Sequence, residues 1–446
     1  MALCISDQRY DGASKQSDLL NAAGRVLVGL TEAEVKLVHR WIRTYVKRHA
    51  SLRRAQQTGN GARVRALSYR IEASFGCRFC ALVAAVWRPK KGVKQKQFTF
   101  SAAEKLTREV SLRSPTTEAV TVRRVEKPEG GERLVVDFGI RSRAGRYLIT
   151  DILQSRLGIS RFKFARRGGG RDAAIRWHLN KVKHGGVRAF TLLDIANCYP
   201  SVDPAALPTL LRLPKAIVDG VIAIPAYFPL TFLGVAPTSE SAVRSGIPQG
   251  SRPSAFIVSK LLEEILSATT ASAVTTHGDD ILLGWKAMDH ATEAKDALAL
   301  ALATHPAGPL LMKTAAALPL GKKFDYCGYW IRRRWKFFGG YARATPSDKA
   351  FLRNRRRAAT ELAFTPNSGH IDQIALRASR WVSAFGAWDA PINAKLTLVE
   401  VDLHGDPLET AWSFRKAMAK VGLKVVKGGE AESIWREAWL PGIGLK

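Results

Sequence analysis

Apolar positions recur at helical spacing early in the chain, at Val35, Leu37, Val38, Trp41, Ile42 and Val46. Thr31, Glu32 and Glu34 precede them, a hydroxyl followed by acid in the first turn, which marks a helix start. TGNG at 58–61 divides the stretch to about residue 75 into two helices. From about residue 118 the pattern becomes strand-like, and AVTVRRVEKPEGGERLVVDFGI places PEGG at a hairpin turn. GRYLITDILQSRLG (145–158) reads as a strand-to-helix transition. FKFARRGGGRDAAIRWHLNKVKHGG (162–186) reads as a basic glycine-rich loop opening a helix from about Arg171 to Lys183. After Pro346 the pattern is mainly helical, with amphipathic segments at 347–364 and 370–385.

Three further segments join apolar runs to chemically active side chains. AFTLLDIANCYPSVD (189–203) is an apolar strand ending in Asp194, with Tyr199 five residues on. SGIPQGSRPSAFIVSKLLEEIL (245–266) is a turn running into an amphipathic helix. AVTTHGDDILLGW (273–285) is a predicted β-hairpin with Asp279 and Asp280 at its tip. Carboxylates between runs apolar enough to be buried are costly without a cation. Asp194 on a neighbouring strand completes a cluster suited to two Mg2+ ions roughly 4 Å apart, which clamp the attacking and leaving oxygens of phosphoryl transfer.

Charge narrows the partner class. Lys and Arg number 69 against 38 Asp and Glu, a net charge of +31 over 446 residues, and a polyphosphate backbone is the commonest way to neutralise such an excess. Ten basic residues and no acid lie between Lys36 and Arg70. A solvated helix usually mixes signs, so this run, including Arg40, Arg43, Lys47 and Arg48, reads as a nucleic-acid-facing arm. Five cysteines, at 4, 77, 80, 198 and 327, make no disulfide framework and point to a reducing, cytoplasmic setting. Cys77 and Cys80 form a lone C-x-x-C without a second ligand pair and read as buried thiols. The longest apolar stretch, around 218–237, carries Asp219, Pro225, Pro229 and Pro237, so no bilayer span is expected. The N-terminus has no basic-then-apolar leader pattern.

Together the three segments resemble motifs A, B and C of a reverse transcriptase palm. Asp194 matches the motif A aspartate, PQGSRPS the Q-G-x-x-x-S of motif B, and Asp279-Asp280 the paired aspartates of motif C. LLMKT places Lys313 like the motif D lysine, FDYCGYWI (324–331) is similar to the primer grip of motif E, and FARRGGGRDAAI resembles the fingers motif of bacterial members. The match runs from about 140 to 335. His277-Gly278 before the aspartates, Ser254-Ala255 in place of Ser-Pro and Ser259 in place of Asn depart from the pattern.

The resemblance implies an α+β right-hand polymerase: a basic helical N-terminal extension (1–105), fingers (106–190), a palm with an antiparallel sheet (191–345) and a helical thumb and C-terminal region (346–446). It implies catalysis by Asp194, Asp279, Asp280 and Lys313, with the three aspartates holding two Mg2+ ions, or Mn2+ in their place. Arg166, Arg167, Arg171, Ile195, Tyr199, Gln249 and Gly250 would bind the nucleotide. Tyr199 occupies the position of a steric gate that favours dNTPs by clashing with a 2′-hydroxyl. Tyr326, Cys327, Gly328, Arg332, Arg333 and Arg355 would join the N-terminal arm in holding nucleic acid. Implied partners are an RNA template, in the defence-associated bacterial members a dedicated non-coding RNA, a DNA product, and a second copy or protein partner. Group II intron- or retron-like enzymes, an RNA-templated RNA polymerase and an RNA-binding protein that has kept only the fold stand as alternatives.

Overall fold

A computed structural model describes residues 12–87, 96–126, 132–163, 170–233, 240–334 and 341–350, with Trp381, Phe385 and Trp388. It mixes helices and sheets. Five helices come first: α1 (Gly12–Val26), α2 (Glu32–Gln57), α3 (Gly61–Ala73), α4 (Phe75–Val86) and α5 (Phe100–Arg108). The helix start expected at Thr31 is a reciprocal capping box: Thr31 Oγ1 accepts from the Glu34 N–H, and the Glu34 carboxylate accepts from the Thr31 N–H. Asn60, from the TGNG break, caps α3 through the Arg63 N–H. Cys77 and Cys80 are buried thiols in α4, as their apolar surroundings suggest.

Strands β1 (Val120–Glu126) and β2 (Glu132–Asp137) pair antiparallel as expected; the turn joining them lies outside the described residues. The next segment differs from expectation. Residues 145–158 contain no strand, because helix α6 runs continuously over Ile140–Leu157. Ala144, Leu148, Ile149, Ile152 and Leu153 recur at helical spacing and are all buried, while Glu118 accepts from the Arg141 and Ser142 N–H groups at the helix start. The local Tyr-Leu-Ile run imitates a strand only because α6 is buried on several sides.

Helix α7 (Gly170–His184) follows, then strand β3 (Ala189–Ile195) and β4 (Leu230–Leu233), which adds to β1 in parallel. Strands β5 (Ala273–His277), β6 (Asp280–Trp285) and β7 (Met312–Pro319) join β3 in a four-stranded sheet of order β5-β6-β3-β7, every pair antiparallel. Strands β8 (Phe324–Tyr326), β9 (Tyr329–Arg334) and β10 (Tyr341–Pro346) form a separate antiparallel sheet.

Alternation divides the central sheet between two cores. Leu193, Ile195, Ile281, Leu283 and Trp285 face a core built largely from α1–α6 and the helix Arg252–Leu266. Phe190, Leu192 and Leu282 face a second core with Ile175 of α7 and Phe324, Tyr326, Tyr329 and Ile331 of the small sheet. The first core runs unbroken from Leu19 to Leu310, so the N-terminal helices are packed into the body instead of extending from it. The expected boundary at 190 does not separate the sheets: residues 230–233 complete the sheet of 120–137. No helix among the described residues is long and apolar enough to cross a membrane.

Candidate active site

Asp194 is the sixth residue of β3, and its Cα partner across β6 is Asp280. On the far side of β6, Asp280 pairs with His277, and Asp194 pairs with Thr314 of β7. The row His277, Asp280, Asp194, Thr314 therefore crosses the sheet at one end. Gly278 and Asp279 make the two-residue hairpin between β5 and β6, with Gly278 at φ +69°, a conformation that two-residue hairpins require. Three carboxylates thus meet on two adjacent strands.

Lys313 joins them through a fault in the ladder. Asp194 pairs with Thr314 but Ile195 pairs with Met312, leaving Lys313 as an extra residue in β7. A bulge of this kind re-aims a side chain, and the Lys313 ammonium lies 3.3 Å from Asp194 Oδ2. Among the described residues, this one exposed ammonium does not offset three carboxylates. Burial first, then the charges of Asp279, Asp194 and Asp325, push the Asp280 carboxyl up to about 7. Burial and Asp194 also raise Asp279. Crowded oxygen donors short of positive charge are the donor set that Mg2+ takes.

The remaining walls come from distant segments. After β3, the single helical turn Cys198–Ser201 carries Tyr199, whose phenol is pushed up to about 12 by burial, Cys198 and Asp279. The loop 245–251 docks on this turn: the Ile247 N–H donates to the Tyr199 carbonyl at 3.0 Å, and Ser245 Oγ donates to the Pro200 carbonyl at 3.1 Å. At Gly246, with φ +64°, a Cβ would stand 2.4 Å from both the Tyr199 and Pro200 carbonyl oxygens, so only glycine permits this approach. On its other side the loop meets β2, where the Val136 N–H donates to the Gln249 carbonyl and Gly250 comes against Val135. Buried Arg146 of α6 donates to Ser251 Oγ and to the Ile222 and Ala223 carbonyls, and stacks on Phe138. Burial lowers its guanidinium to about 9.

Helix α7 approaches from the second core. Arg171, in its first turn, stacks 4.1 Å from the Phe385 ring centroid, and its charge reaches His277 and Cys327. A buried chain ties this helix to the hairpin: His178 Nε2 and Thr275 Oγ1 are 2.8 Å apart, and Thr275 Oγ1 lies 3.1 Å from the Tyr326 hydroxyl.

The structure thus brings together Asp194, Asp279, Asp280, Lys313, Tyr199, Gln249 and Gly250, with Arg171 behind the hairpin. Two expectations need correction. Tyr326 is buried in the second core with its hydroxyl on Thr275, so its side chain holds the hairpin and presents nothing to nucleic acid. Ile195 is likewise buried, its side chain in the first core and not in a nucleotide site. Cys327 and Gly328 form the turn between β8 and β9, Arg332 is exposed on β9 and Arg333 follows it. Arg166, Arg167 and Arg355 lie outside the described residues.

Sequence reasoning missed Asp325, whose charge reaches Asp280, and it treated His277 as a departure from a motif. The FDYCGY turn and the His preceding Gly-Asp-Asp were the available signals.

The basic arm is an ordered stripe. Arg40, Arg43, Lys47 and Arg54 are exposed along one side of α2, while Val38, Ile42, Tyr45, His49, Leu52 and Ala55 are buried on the other. Arg48 differs from its neighbours: it is half-buried and donates to the Arg70 carbonyl at 2.9 Å. Beneath the stripe, buried Asp151 of α6 receives Lys15 of α1 at 3.0 Å, Tyr45 of α2, and Arg252 at 3.3 Å. Burial alone would raise Asp151, but Lys15, Arg252 and His49 outweigh it and hold the carboxyl below its ordinary range. Arg252 begins the helix that follows the loop 245–251, so this cluster joins the arm to the site wall.

The chain matches no family model and no curated protein.

Proposed function

We propose that the protein is an RNA-directed DNA polymerase that adds dNTPs to a primer 3′-hydroxyl, working on RNA held by its basic surface. One observation carries this reading: two segments about 85 residues apart, each resembling a polymerase motif, converge so that Asp194 and Asp280 are direct cross-strand partners beside Asp279. Structural aspartates at strand ends have no need to assemble into an under-neutralised cluster.

Bound at Asp194, Asp279 and Asp280, two Mg2+ ions would supply Lewis acidity for the attacking hydroxyl and the leaving pyrophosphate. The chain's own groups then have definite tasks. Lys313 sits where its ammonium can neutralise phosphate charge or pass a proton to the leaving group. The Tyr199 ring, on a turn whose backbone is held by the loop 245–251 and close enough to the carboxylates to feel the Asp279 charge, would form a wall under the sugar that a 2′-hydroxyl meets. Gly250 lets a base or sugar approach the backbone closely. The α2 stripe, roughly 21 Å from Arg40 to Arg54 at 1.5 Å per residue, matches phosphates of a structured RNA. A dedicated non-coding RNA, as in the defence-associated enzymes the sequence resembles, is the template class this surface suits.

The test is extension of a DNA primer on an RNA template by the purified chain in Mg2+. Wild-type protein should incorporate dNTPs and Asp194→Asn should not; an Asp194→Asn protein as active as wild type would refute the assignment.

A further inference from the structure

We infer that His277, Asp280 and Cys327 form a binding site for one soft divalent cation of the Zn2+ class, distinct in chemistry from the Mg2+ cluster but sharing Asp280 with it. A ring nitrogen of His277, a carboxylate oxygen of Asp280 and the Cys327 sulfur all lie within 4.8 Å of one another. A tetrahedral zinc ion needs its ligand atoms roughly 3.5 Å apart, so small side-chain rotations close the site. Nitrogen, oxygen and sulfur together are a zinc donor set; Mg2+ has no use for a thiolate or an imidazole.

The backbone holds these groups in place independently. His277 and Asp280 are cross-strand partners flanking a two-residue hairpin. Cys327 begins a second two-residue hairpin, between Tyr326 and Tyr329, and holds a left-handed φ of +53°. Asn, Asp and Gly take that conformation with least cost; a cysteine there is strained, and its sulfur is what the turn gains. The buried His178, Thr275 and Tyr326 contacts tie the two hairpins to each other.

Coordination by the Cys327 sulfur releases the thiol proton to solvent. Three protein ligands leave the fourth position of a tetrahedral ion for water.

Because Asp280 cannot serve both sites at once with the same oxygens, soft-metal occupancy draws it from the Mg2+ cluster. The binding itself does not depend on the polymerase reading, and its test reads no catalysis.

Titrating the reduced full-length chain with Co2+ should give a thiolate-to-cobalt charge-transfer band saturating at one equivalent. Zn2+ should abolish the band, and a large excess of Mg2+ should not. Cys327→Asn, which suits the left-handed turn and so preserves the hairpin, should remove the band. His277→Gln should retain the band at markedly weakened affinity, because one of three ligands is lost, and Cys77→Ser should leave it unchanged. Absence of a charge-transfer band in the wild-type chain, or its persistence in Cys327→Asn, would overturn the site.

Discussion

The Gly246 Cα lies so close to the turn carrying Tyr199 that a single added methyl would meet the Tyr199 carbonyl oxygen at 2.4 Å. Two chain segments are thereby locked together: the strand end bearing Asp194 and Tyr199, and the loop bearing Gln249 and Gly250. The Ile247 N–H bond to the same carbonyl works in the same direction.

Gly246→Ala should therefore separate the two walls. Overlap with backbone oxygens plus a left-handed φ cannot be relieved by a rotamer change, so a loss on the order of 2–4 kcal/mol is expected. Urea unfolding measures it, and the loss of nucleotide affinity should exceed that of an exposed control such as Lys286→Ala. A stability within about 0.5 kcal/mol of wild type would show that the loop does not dock this tightly.

On the proposed reading, sugar choice rests on the ring of Tyr199, whose backbone this contact holds. Tyr199→Ala should raise kcat/KM for an rNTP relative to the matching dNTP by one to two orders of magnitude, about 1.4–2.8 kcal/mol of discrimination. Wild-type protein that already prefers rNTPs would contradict the gate and favour an RNA-templated RNA polymerase.

The α2 stripe predicts salt dependence. Each phosphate contact contributes close to one unit to the slope of log K against log salt. Replacing Arg40, Arg43 and Lys47 by Gln should flatten that slope for a structured RNA by about two to three units without shifting the unfolding midpoint. Adding Arg48→Gln should change the slope little and the stability more, because Arg48 is engaged with the Arg70 carbonyl. Equal slopes for wild type and the triple variant would remove the arm from the RNA-binding surface.

Acid should destabilise the fold through two buried imidazoles. Burial lowers His49 to about 4 and His178 to about 3, whereas unfolded histidine titrates near 6.5. The unfolded chain thus binds more protons below pH 6.5. Their contribution is intact above that pH and is lost as pH falls toward 4 for His49 and 3 for His178, at about 1.4 kcal/mol per unit for each. The Asp280 carboxyl, raised to about 7, takes up a proton in the fold over the same range and acts in the opposite direction, so urea midpoints at pH 7 and pH 5 in an Asp280→Asn background check this; equal midpoints there would mean the imidazoles are not neutral in the fold.

Much of this was legible because it is local. The helices 32–57 and 61–73 and the Gly278-Asp279 hairpin follow from periodicity, capping and turn chemistry within a few residues. Helix α6 was not, since a helix buried on several sides loses its polar stripe and its β-branched residues imitate a strand. The motifs predicted which side chains meet but not how: the bulge that aims Lys313 at Asp194 depends on β3–β7 register, which no local pattern encodes. Tyr326 failed as a surface residue for a related reason, because its burial is set by α7 and β5 packing from over 50 residues away. The pairing of Cys327 with His277 and Asp280 is likewise a property of two hairpins brought together by the core.

On the proposed function, Asp194, Asp279 and Asp280 hold the cations that drive nucleotide transfer. Single-turnover incorporation of one dNTP by wild-type protein and by Asp279→Asn, each in Mg2+ and again after chelation by EDTA, tests it most directly. The wild-type burst should be abolished by EDTA and restored by Mg2+, with Asp279→Asn slower by about three orders of magnitude or more, roughly 4 kcal/mol of transition-state stabilisation. Incorporation at the wild-type rate by a folded Asp279→Asn protein, or incorporation indifferent to EDTA, would contradict it.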